Sequence, residues 1–99
     1  MSYRALGIYR EPEFSPGKVE ADAAILDATL SELRREGVEI QAMDAVSFAM
    51  AAAIRADIVL PMCQGPRALK RLAEVEQAGA AAINSALSIR NCYRDLLAP

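Results

Sequence analysis

The sequence predicts an α/β domain: a four-stranded parallel sheet in strand order 2-1-3-4, with helices on both faces. Three observations carry this. Short apolar runs alternate four times with segments of helical periodicity. The connections are long enough to cross over, which joins strands in parallel and not as hairpins. One run, 38–43, alternates apolar and polar residues and so belongs at an edge, while the others are apolar enough for burial on two faces.

Residues 3–9, YRALGIY, read as the first strand, with Leu6 and Ile8 in the core. The stretch 10–17 that follows, with two prolines and a glycine, is a loop. It is longer than the roughly two to six residues usual for such a connection, and long connections at this place tend to serve function.

Residues 18–36 form the clearest helix. Val19, Ala23, Leu26, Leu30 and Leu33 make one stripe. Acids sit early and arginines late, as the helix dipole favours. Gly37 supplies the left-handed stop. The second strand is 38–43, VEIQAM, and Asp44 or Ser47 can cap an alanine-rich helix over 46–55.

Residues 57–62, DIVLPM, read as a buried strand with Ile58 and Leu60 inward and Pro61 near its end. Cys63, Gln64 and Gly65 turn the corner, and Pro66 opens the third helix at its first position. Its buried stripe is read as Leu69, Leu72 and Ala73, with Val75 beside them. Gly79 ends it. A fourth short run, 80–83, contributes Ile83 to the core and meets Asn84 and Ser85. Ser85 is a good N-cap for a last amphipathic helix that carries Leu87, Ile89, Cys92, Tyr93 and Leu96 on one face. The whole is a small Rossmann-like three-layer sandwich.

Composition bounds what such a domain does. A chain of 99 residues is one domain, 1–99. Net charge is −2 with both signs dispersed, so the basic footprint of a nucleic-acid binder is absent and no nucleic-acid partner is expected. No apolar run approaches the roughly 20 residues that span a bilayer, so no membrane partner is expected either. Two cysteines do not make a disulfide framework, and a cytoplasmic location follows as the default. There is no histidine, which removes the commonest general base and most zinc chemistry.

The end of the chain also carries a resemblance. A buried strand closing in Asn84-Ser85, followed by a helix running into Asp95, resembles the end of the N-terminal, or pre-ATP-grasp, domain of ATP-grasp enzymes. The run DIVLPMCQGP and its spacing to AAINS add to it. A lysine commonly follows the acid in that family, whereas Leu96 follows Asp95 here. The resemblance implies the N-terminal, substrate-side domain of a carboxylate–amine ligase-like protein, with no catalytic residue of its own. It implies ATP and magnesium for the parent protein, held by an ATP-binding domain beyond Pro99, and a dimer contact in some members.

In an open parallel sheet, ligands bind at the carboxyl ends of the strands, where neighbouring connections diverge. The predicted order places that crevice between strands 1 and 3. Helix N-termini at Lys18, Pro66 and Ser85 converge there, each with about half a positive charge. Arg10, Lys18, Gln64, Gly65, Arg67, Asn84 and Ser85 are therefore the candidate residues for a small anionic or carboxylate ligand. The same residues also serve as ordinary caps and turns, and spacing alone leaves both readings open. A free-standing module for a small anion or a protein partner is the alternative function.

Other motifs fail on their chemistry. SPGK lacks the first glycine of a phosphate-binding loop, and Val19 stands where a magnesium-binding hydroxyl is required. Gly7 stands alone, without a dinucleotide fingerprint. Cys63 sits at a helix N-terminus, a position that lowers a thiol pKa, but has no partner base or second cysteine.

Overall fold

The computed structural model describes residues 3–13, 17 and 19–83. Its elements run β1 (Arg4–Tyr9), α1 (Val19–Arg35), β2 (Glu39–Asp44), α2 (Ala45–Met50), β3 (Ile58–Pro61), α3 (Pro66–Gln77) and β4 (Ala81–Ala82). The four strands form one sheet in the order β2-β1-β3-β4, as expected. Every pairing is parallel, with Ala5 opposite Ile40 and Ile58, and Ile58 opposite Ala81.

Alternation along β1 and β3 divides the core in two. Ala5, Ile58 and Leu60 meet Leu26, Leu30 and Leu33 of α1, with Val38 and Ile83. Leu6, Ile8 and Val59 meet Ala45 and Phe48 of α2 and Ala68, Leu72 and Val75 of α3. Successive strand side chains point to opposite faces, so α1 covers one face and α2 with α3 the other. The order explains the sides. β1 to β2 runs one way across the sheet and β2 to β3 to β4 the other, so crossovers of a single hand put their helices on opposite faces.

The α1 stripe is as expected, and Gly37 ends the helix at φ 91°. Gly79 ends α3 at φ 115°. Positive φ is the region that favours glycine, and both helices stop there. Asp44 caps α2: its carboxylate accepts the Ser47 N–H at 2.7 Å and the Ser47 hydroxyl at 3.0 Å.

The structure corrects three details. The helix expected over 46–55 is only Ala45–Met50. Beyond it the backbone is extended at Ala51, whose carbonyl accepts from Arg71 at 2.8 Å. Ile54 and Ala56 then pack against the core outside any helix. An alanine-rich segment has no apolar stripe to hold further turns, and burying Ile54 on the way to β3 wins. Second, Leu69 is 45% exposed and Ala73 is exposed, while Ala68 is 2% exposed. The buried stripe is Ala68, Leu72 and Val75, so Leu72 and Val75 hold their expected places while Ala68 takes that of Leu69 and Ala73. Ala68 packs in the same cluster as Phe48 and Val59. Third, β2 lies at the edge as expected, but its two faces are alike. Ile40 is half-buried toward α1 and Met43 toward α2 and α3. The expected helix with Ile89 and Cys92 lies outside the described residues.

Candidate functional site

The parallel order brings two connections together at the carboxyl edge: residues 10–13 after β1 and residues 62–65 after β3. The Met62 amide continues the β1–β3 ladder, donating to Ile8 O at 2.9 Å. Pro66 then starts α3 with Gly65 as its cap residue.

The centre of this edge is Glu11, and it is 7% exposed. Its Oε1 accepts the Gln64 N–H at 2.8 Å and its Oε2 accepts the Gly65 N–H at 2.6 Å. A carboxylate on backbone amides at a helix N-terminus is favoured by hydrogen bonding and by the helix dipole. The protein's own side chain therefore fills the anion position expected at Gln64 and Gly65. Sequence spacing could not find this contact, because its partners lie 53 and 54 residues apart.

Arg10 is committed elsewhere. Its Nε donates to the Asp22 carboxylate on α1, in a pair whose side chains are 11% and 17% exposed. Arg67 is exposed and makes no ion pair among the described residues. Lys18, Asn84 and Ser85 lie outside the described residues. Of the seven candidates, the structure places Arg10, Gln64, Gly65 and Arg67 at this edge and gives the first three internal partners or neighbours.

At Cys63 burial overrides the pull of the helix end. The thiol is buried at 6% exposure, among Phe48, Val59 and Ala68. Its pKa is pushed up to about 11, first by desolvation and then by the Glu11 charge. Burial outweighs the helix end, so the thiol stays protonated near neutral pH.

Beside Glu11 a groove of about 340 Å³ opens between α2 and the start of α3. Ala45, Ala49 and Ala68 are small residues within it, Val46 and Met50 form an exposed apolar wall, and Glu13 and Arg67 bring charge. Gly65 contributes no side-chain cap to the first turn of α3. Arg67 and the amides of that turn can therefore face a carboxylate or phosphate, with apolar contact behind it. Two larger hollows lie at the amino edge, around Arg4, Glu39, Arg55 and Asp57. There Arg4 is already tied up, with its guanidinium on Glu39 at 3.1 Å and its amide on Asp57 at 2.8 Å.

Among the described residues, no group of three or more acidic, cysteine or histidine side chains could hold a metal ion. No described helix is long and apolar enough to cross a membrane. Comparison with protein-family models, curated proteins and solved structures finds no match.

Proposed function

We propose that the chain is a non-catalytic, pre-ATP-grasp-like domain that supplies one wall of the pocket for a small carboxylate or phosphate compound. One observation supports the anion site: the carboxyl edge at the β1–β3 switch point opens a groove flanked by Arg67 and the first turn of α3, to which Gly65 gives no side-chain cap. This is the position at which open parallel sheets bind ligands. The ligand set is narrower than the sequence suggested. Arg67 and the first-turn amides receive the anion, because Glu11 occupies the Gln64 and Gly65 amides and Arg10 is paired with Asp22. ATP, magnesium and the acyl-transfer chemistry belong to a further domain of the parent protein.

The test is an amide-resolved NMR titration with acetate and with inorganic phosphate. Saturable shifts at Arg67 and Ala68 are expected, with affinity on the order of millimolar, equivalent to about 4 kcal/mol. Shifts confined to the amino edge, around Arg4 and Arg55, would refute the site. A second reading, a free-standing module that docks a protein partner, is favoured by the wall of Val46 and Met50, 62% and 78% exposed. The reading frame beyond Pro99 separates the two: an ATP-binding domain there decides for the first.

A further inference from the structure

Among the described residues, one side chain ties the β1–α1 connection to the corner before α3. Glu11 spans from the β1–α1 connection to the corner before α3, and both its oxygens are engaged. No other hydrogen bond among the described residues joins that connection to α3 or its corner. Directly behind the contact lies Cys63, the residue preceding Gln64, buried in the core on the α2–α3 side. The groove is lined by Glu11 on one side and by α2 and the first turn of α3 on the other.

We propose that Glu11 is a latch: while its carboxylate is seated on Gln64 and Gly65, the corner before α3 and the Cys63 thiol behind it are held closed together, and its release opens both. This regulation applies to the edge read above as ligand-binding, and so it rests on that reading for its purpose. The physical basis is coupling. A carboxylate leaving two amides at once frees the corner they belong to, and Cys63 shares that corner. Burial and the nearby carboxylate together account for the raised thiol pKa, so both restraints on the thiol weaken when Glu11 leaves. A local opening of this kind lies below the global unfolding free energy in a molecule held by few contacts at one point.

The experiment reads two probes at once, in a Cys92→Ser background. Amide hydrogen exchange reports Gln64 and Gly65, and alkylation by iodoacetamide reports Cys63. In the unmutated latch, both probes should give one shared opening constant, insensitive to low denaturant. Glu11→Gln keeps the size of the side chain but removes its charge and one acceptor. It should speed both probes by the same factor, on the order of tenfold or more. Faster amide exchange with unchanged alkylation would overturn the proposal, because the contact would then be a local cap. Exchange of both probes only through global unfolding would overturn it too, and this arm needs no variant at Glu11. The latch experiment contains no ligand and the anion titration contains no Glu11 variant, so the two readings fail separately.

Discussion

Gly7→Ala tests how α1 is seated on the sheet. Gly7 lies in β1 opposite Ala42 and Leu60, on the face that α1 covers. A Cβ built there comes within 2.9 Å of Leu30 Cδ1, and 3.1 and 3.3 Å of the two Leu26 methyls. Leu26 and Leu30 are 1% and 5% exposed, so neither has open space to move into. Overpacking of this kind costs about 1–3 kcal/mol. Replacing glycine restricts the unfolded chain and returns about 0.4–1 kcal/mol. The mid-range balance is a loss of about 1.3 kcal/mol. For a domain this small, that lowers Tm by about 5–10 °C. Thermal unfolding followed by circular dichroism measures it. Leu30→Ala supplies the control. Alone it should cost about 2–5 kcal/mol, but it empties the volume that the new methyl needs. Gly7→Ala should then cost less in the Leu30→Ala background, where only the Leu26 methyls still crowd the new Cβ, a coupling of at least about 0.5 kcal/mol. An unchanged or raised Tm for Gly7→Ala would refute the close approach of α1. So would a penalty of equal size in both backgrounds.

Leu60→Ala should destabilise by about 2–5 kcal/mol in urea unfolding, since Leu60 is 2% exposed between β1 and α1. Leu69→Ala should change stability by no more than about 0.5 kcal/mol, because that side chain faces solvent; a loss on the scale of Leu60→Ala would show that α3 is turned the other way. Asp44 has its pKa lowered by hydrogen bonds from the Ser47 amide and hydroxyl. Its contribution to stability is therefore present above the ordinary carboxylate pKa and lost as pH falls through the folded value, and Asp44→Ala should abolish that part of the pH profile. Calorimetry of the purified chain with Mg–ATP should show neither tight binding nor turnover; micromolar binding would refute the reading of the chain as non-catalytic.

Much of the fold was legible because its signals are local. The α1 stripe, the stops at Gly37 and Gly79, the Asp44 cap and Pro66 at the first turn of α3 each depend on residues within about one helical turn of one another. The strand order followed from one such signal, the mixed pattern of β2, together with the rule that crossovers share a hand. What the sequence hid depends on distance. Leu69 outweighs Ala68 in any hydrophobic pattern, yet it is Ala68 that packs with Phe48 and Val59 while Leu69 faces solvent. Gly7 matches no nucleotide motif, and its meaning is the closeness of Leu26 and Leu30. Glu11 reads as a charge in a loop until the sheet brings residues 64 and 65 to it. Arg10, an apparent anion ligand, is claimed by Asp22 of α1. Local periodicity determined which segments are strands and helices and how they alternate. The tertiary structure alone decided which polar groups are spent on each other and which, like Arg67, face outward, because a hydrogen bond is fixed by positions in space and not by spacing along the chain.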